Sequence, residues 1–137
     1  MTQAPLMDRI HITEDYDVPR VINGGWQLSA GHALERPLDL ADASRAFNRL
    51  IDMGFDTFDC ADIYTGVEDF FGGIIRERRK AGLRLPQIHT KFVPDLNDLA
   101  NVTPAYIENI ITRSLRRLGV ERLDAVQFHW WDYSVPG

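Results

Sequence analysis

The most constraining feature of this 137-residue chain is a set of short apolar runs that recur at nearly constant spacing. The runs at 20–23, 57–60, 87–92 and 123–129 are rich in β-branched and aromatic residues. They are too short for helices and have the composition of buried strands. Their centres, near residues 22, 58, 89 and 126, lie 36, 31 and 37 residues apart. Between them the apolar period becomes helical. One helix is expected over 39–53, with Ala43, Ala46, Phe47, Leu50 and Ile51 on one face and Gly54 as its stop. A second is expected over 67–80, with Phe71, Ile74 and Ile75 turned inward and Gly82 closing it. Gly72 and Gly73 weaken that helix, which implies a close packing contact there. The third has the clearest signals, with Thr103 as N-cap, Pro104 in the first turn and Gly119 as terminator. Its apolar stripe is Ile107, Ile110, Ile111, Leu115 and Leu118. Arg113, Arg116 and Arg117 suit the negative end of its dipole and are expected to be solvated.

Strand–helix–strand connections of this length favour parallel pairing, and a parallel sheet covered by helices is an α/β fold. Two architectures compete. An open dinucleotide-binding sheet needs a glycine-rich turn leading from its first strand straight into a helix. Here Asn23-Gly24-Gly25-Trp26 has no third glycine at the required offset, and residues 27–38 separate it from the helix. A barrel instead predicts polar residues at the C-terminal ends of several strands. Those are present: Gly24-Gly25-Trp26-Gln27, Asp59-Cys60-Ala61-Asp62-Ile63-Tyr64, His89-Thr90-Lys91 and Gln127-Phe128-His129-Trp130. The expected fold is a parallel (β/α) barrel of TIM type. A closed barrel needs about 250 residues, so residues 20–137 are expected to form its first half, four strands and three helices. Residues 1–19 form a hairpin or irregular lead-in.

Charge and cysteine content remove other classes. Lys plus Arg is 15 and Asp plus Glu is 20, a net charge of −5. A mildly acidic chain is poorly suited to nucleic acid or anionic membranes, which attract clustered cations. The single cysteine, Cys60, excludes an internal disulfide framework and suits a reducing compartment. There is no apolar signal-peptide core and no run long enough to span a bilayer, so a cytoplasmic location is expected. His11, His32, His89 and His129 are too scattered to argue for a metal site.

Several spaced motifs point to one family. Phe58-Asp59-Cys60-Ala61-Asp62-Ile63-Tyr64 with Glu68 and Gly72 resembles the signature of the aldo-keto reductases. His89-Thr90-Lys91 resembles that family's Thr-Lys strand end. Ser114-Leu115, Leu118-Gly119, Leu123-Asp124 and Gln127-Phe128-His129-Trp130 resemble its third helix and fourth strand. The resemblance implies reduction of an aldehyde or ketone to an alcohol by hydride from NADPH, with NADH not excluded. It carries the family's catalytic groups onto Asp59, Tyr64, Lys91 and His129. It also implies that the backbone at Gly24, Gly25 and Trp26 lies near the nicotinamide, and that Trp26, Trp130 and Trp131 wall a pocket for a small carbonyl substrate.

The chemistry explains those residue types. Hydride attack on a carbonyl leaves an alkoxide, which needs a proton and a stabilising donor as charge develops. A phenol is a feeble acid at neutral pH, and a nearby ammonium stabilises the phenolate it leaves behind. Lys91 would tune Tyr64 in this way, Asp59 would hold Lys91, and His129 would orient the substrate oxygen. Other polar residues have simpler readings. Glu68 is expected to cap or ion-pair near the second helix, Asp62 and Asp124 to be structural, and Cys60 not to be a nucleophile. In the resembling family most of the cofactor grip comes from later strands. This half is therefore expected to be inactive alone, and its open edges to promote dimerisation or aggregation. The alternative is a non-catalytic half-barrel module that self-associates or scaffolds.

Overall fold

The computed structural model describes residues 7–30 and 37–136; residues 1–6 of the lead-in, His32 and Gly137 lie outside the described residues. The chain opens with an antiparallel hairpin, β1 (Arg9–His11) and β2 (Asp17–Pro19), in which Ile10 faces Val18. Four parallel strands follow: β3 (Asn23–Gly24), β4 (Thr57–Asp59), β5 (Gln87–Phe92) and β6 (Ala125–Phe128). The helices between them are α1 (Leu40–Asp52), α2 (Val67–Lys80) and α3 (Pro104–Leu118). Spatial order equals chain order, β3-β4-β5-β6. Each crossover thus steps to the next strand in one direction, whereas a doubly wound sheet reverses at a switch point. The half-barrel with its hairpin lead-in is the architecture observed.

The sheet has two unlike faces. Along β5, Ile88, Thr90 and Phe92 are buried, while Gln87, His89 and Lys91 between them are half-buried. Register carries this division sideways: Phe58 lies beside Ile88, Asp59 beside His89, and Gln127 beside Lys91. The apolar face is sealed by the helices. Phe58, Phe71, Ile51, Ile74, Ile75 and Leu118 form its core, with Phe58 stacked on Phe71 at 5.2 Å and Phe47 edge-on to Phe58 at 5.0 Å.

Local signals set the helix ends. The Thr103 side chain accepts from Tyr106 N–H, and Gly119 ends α3 in the left-handed region at φ 66°. Asp39 caps α1 by accepting from Ala41 and Asp42 N–H. Gly72 has the expected packing role, because a Cβ there would sit 2.1 Å from the Arg117 carbonyl oxygen. Backbone touches backbone where α2 crosses α3. Gly73 has no such role: a Cβ there would meet just the Arg76 guanidinium, at 4.0 Å. The first strand is shorter than expected. It is an edge with one neighbour, and Val21 and Ile22 lie exposed before it. The fourth is trimmed to Ala125–Phe128. Ile107, expected inward, is exposed in the first turn of α3, remote from the Gly72 crossing.

The hairpin docks on the N-terminal ends of β4 and β5. Arg9 donates to Asp17 at 2.7 Å, to Asp56 just before β4 at 2.8 Å, and to Gln87 at the start of β5 at 3.2 Å. Higher on the same face, the Tyr16 hydroxyl meets His89 Nε2 at 2.8 Å. Burial, then the Asp124 and Asp56 charges, push the Tyr16 phenol up to about 12. Among the described residues, no hydrogen bond or ion pair joins the hairpin to Asp59, Tyr64, Lys91 or His129.

Candidate active site

Asp59 ends β4, and the chain then turns through residues 60–66 before α2 begins. Lys91 lies on the same sheet face, one strand away. Its ammonium donates to Asp59 Oδ2 at 2.6 Å and to the Cys60 carbonyl at 2.9 Å. Two acceptors fix its position, and the pair is largely shielded, with side-chain exposure of 15% for Lys91 and 31% for Asp59. The same Nζ lies 5.3 Å from the centre of the Tyr64 ring, a cation–π contact. Asp59 and Tyr64, close in sequence, thus share one rim with Lys91, 32 residues after Asp59.

His129 belongs to the next strand end. Its N–H donates to the Phe92 carbonyl at 3.0 Å, which continues the β5–β6 ladder, and the period of two puts it on the face of Gln127 and Lys91. Its ring packs edge-on against Trp131 at 4.8 Å, and among the described residues the ring makes no hydrogen bond. Among the described residues, the fourth group therefore reaches the rim without a hydrogen bond to the other three.

The remaining site candidates divide by environment. Gly25 is buried and its N–H donates to the Asp59 carbonyl at 2.7 Å. A Cβ at Gly25 would come within 2.9 Å of that oxygen, so packing alone requires glycine here. A Cβ at Gly24 would meet nothing within 4 Å. Trp26 starts a single 3-10 turn (Trp26–Leu28) and is half-exposed. Trp131 donates its indole N–H to the Pro94 carbonyl at 2.8 Å. Trp130 leans on Phe128 at 5.2 Å, and Phe128 shares the helix-side face of Phe92. That makes Trp130 the least suited of the three indoles to wall a pocket on the concave face.

Cys60 is buried, and desolvation together with the Glu68 charge pushes its thiol up to about 12. A raised thiol value disfavours the thiolate at neutral pH. Among the described residues, no group of three or more His, Cys, Asp or Glu is placed to hold a metal ion. Nor is any helix long and apolar enough to cross a membrane.

Two features were not anticipated. Gln127 donates to Asp59 Oδ1 at 3.3 Å, so both oxygens of that carboxylate have partners. Its signal was a polar residue in the apolar strand Ala125–Phe128. The second is a polar cluster behind the rim, which corrects the expectation of solvated arginines for two of the three: Arg113 and Arg117 stay part-exposed but are tied to buried carboxylates. Arg113 pairs with Asp62 at 2.9 Å and Arg117 with Glu68 at 3.2 Å, while Arg116 is exposed. The cause is that Asp62 and Glu68 are almost wholly buried, and buried carboxylates require partners. Glu68 ion-pairs as expected. Burial raises the Asp62 carboxyl above its ordinary value, opposed by the Val93 N–H and the Arg113 charge.

Comparison with known proteins bears on the fold and the family. The model of the aldo/keto reductase family matches residues 20–136. A candidate aldo-keto reductase from Pseudomonas aeruginosa superposes with a TM-score of 0.73 at 20% identity, covering 96% of this chain and 50% of that one. An aldo-keto reductase of the silkworm Bombyx mori gives 0.68 at 23% identity, covering 90% and 36%. The aldose reductase of Schistosoma japonicum gives 0.64 at 19% identity, covering 90% and 37%. At these identities the structures speak for the fold, and this chain spans half of their length or less. From the family match and the half-barrel together, the chain belongs to the aldo/keto reductase family.

Proposed function

We propose that this chain supplies the acid–base rim of an NADPH-dependent reductase that converts an aldehyde or ketone to an alcohol. The observation that carries the reading is the seat of Lys91, held by Asp59 at 2.6 Å and lying 5.3 Å from the Tyr64 ring centre. Tyr64 donates the proton to the substrate oxygen. Lys91 stabilises the phenolate that remains, Asp59 balances and orients Lys91, and His129 steadies the substrate oxygen from the neighbouring strand end. Proton transfer from a positioned acid is worth about 10²–10⁴-fold in rate. Binding in one orientation must supply much of the rest.

The residues present suit one end of the cofactor. The space around Gly24, beside Asp59, leaves room for a flat ring to approach the backbone, with Gly25 and Trp26 next to it. When bound, the nicotinamide supplies the hydride. The phosphate end fits less well here, because Arg113 and Arg117 are engaged by Asp62 and Glu68. The grip on the phosphates is therefore assigned to residues outside this chain, in keeping with its span of 50% or less of the matched structures. NADPH is preferred to NADH on family grounds alone. Trp26 and Trp131 are the better candidates for the walls of a small-carbonyl pocket, with Trp130 behind them.

A second reading, a non-catalytic half-barrel that self-associates, draws on the outward face of β6, where Phe128 and Val126 are exposed. Turnover separates the two. Where this half-barrel is joined to the residues that complete a barrel, Tyr64→Phe is expected to lower aldehyde-dependent NADPH oxidation by about 10²-fold or more while sparing cofactor affinity. Unchanged turnover would remove Tyr64 as the proton donor. The chain by itself is expected to show no micromolar NADPH binding in a fluorescence titration.

A further inference from the structure

Behind the rim, on the helix side of the sheet, a polar cluster with buried carboxylates joins three elements, and its centre is the half-buried Arg117. From α3, one guanidinium nitrogen donates to the Asp62 carbonyl at 2.8 Å and to Glu68 Oε2 at 3.2 Å. Asp62 lies two residues before Tyr64, and Glu68 four residues after it, in the first turn of α2. The other oxygen of Glu68 accepts from Thr90 Oγ1 at 2.7 Å, and Thr90 is the neighbour of Lys91. The Asp62 N–H in turn reaches the Lys91 carbonyl at 3.3 Å. One side chain thus holds both ends of the Tyr64 turn and is linked to the strand that carries Lys91.

We infer that Arg117 is a positioning residue: acting through Asp62 and Glu68, it holds the Tyr64 ring against the Lys91 ammonium. Arg117 touches neither group. Its own placement is fixed because its carbonyl lies against Gly72, where even a Cβ would come within 2.1 Å. A close helix crossing therefore sets the guanidinium, and the guanidinium sets the turn. Arg113 adds a parallel tie through Asp62 Oδ2 at 2.9 Å, while the other oxygen of that carboxylate accepts from Val93 N–H at 3.1 Å. Asp62 and Glu68 are buried, so loss of the arginine leaves the Glu68 carboxylate without its cation and the Asp62 carbonyl without this donor. The inference rests on the proposed roles of Tyr64 and Lys91 for its functional meaning, but its geometry can be tested separately.

The chain has two lysines, Lys80 and Lys91, so lysine-labelled protein gives two sets of side-chain NMR signals. The Tyr64 ring current displaces those of Lys91; its size is the difference between the wild type and Tyr64→Leu. In Arg117→Met that displacement is expected to be largely lost while the Lys80 signals, at the far end of α2, stay in place. A folded Arg117→Met protein with the wild-type displacement overturns the proposal. So does an absence of any difference between the wild type and Tyr64→Leu. If Arg117→Met fails to fold, Glu68→Gln keeps a partner for Thr90 and removes the anion that Arg117 grips. An unchanged Lys91 displacement there overturns the proposal equally. The reductase reading fails by a different result, unchanged turnover in Tyr64→Phe, which leaves the NMR outcome standing.

Discussion

The two faces of the same four strands have divided the work. On the helix side, Phe58, Ile88 and Phe92 are buried, and aromatic rings interlock at about van der Waals distance. On the concave side, Asp59, Gln87, His89, Lys91 and Gln127 are hydrogen-bonded to one another or to the hairpin and remain partly open. The helix side provides cohesion and the concave side holds charge in fixed positions. Because strand side chains alternate, each strand contributes to both, and neighbouring residues such as Phe58 and Asp59 have opposite duties. The apolar core and the charged rim are thus separable by mutation at adjacent positions.

The sharpest break in this comparison is Phe58→Ala. Deleting a buried ring between Phe47 and Phe71 is expected to cost about 3–5 kcal/mol in urea unfolding, whereas an equal cost for Gln127→Ala on the other face would end the division. Gly72→Ala comes next. A methyl driven into the Arg117 carbonyl must separate α2 from α3, at roughly 1–3 kcal/mol by the same measurement. Loss of the Lys91 displacement in that variant would link the crossing to the rim. Tyr16 tests the concave face more gently. Its folded value, raised by burial to about 12, means that its contribution is present below the ordinary phenol value and lost as pH rises towards 12. Amide exchange in the hairpin is expected to quicken over that alkaline window. Tyr16→Phe should abolish the pH dependence and cost about 1 kcal/mol at neutral pH through the lost His89 bond. Smallest is Gln127→Ala, expected within about 0.5 kcal/mol because the side chain is exposed.

Much of this structure is written in local sequence. The strand Gln87–Phe92 and the helix Val67–Lys80 fall where their apolar periods put them, and Thr103, Pro104 and Gly119 mark the ends of α3 by capping chemistry that depends on nearby residues alone. The motifs around Asp59, Tyr64, Lys91 and His129 were likewise readable as a family resemblance. Contact between distant segments was not. Sequence gave the arginines of α3 a favourable helix end, and it took the fold to bring Asp62 and Glu68, 51 and 49 residues away, beneath Arg113 and Arg117. It marked Gly72 and Gly73 alike, but helix rotation turned just Gly72 towards Arg117. Periodicity is a property of a short stretch of chain, so the sequence determined the elements and the alternation of their faces. Which charges are buried together depends on how those elements approach, and only the tertiary structure decided that.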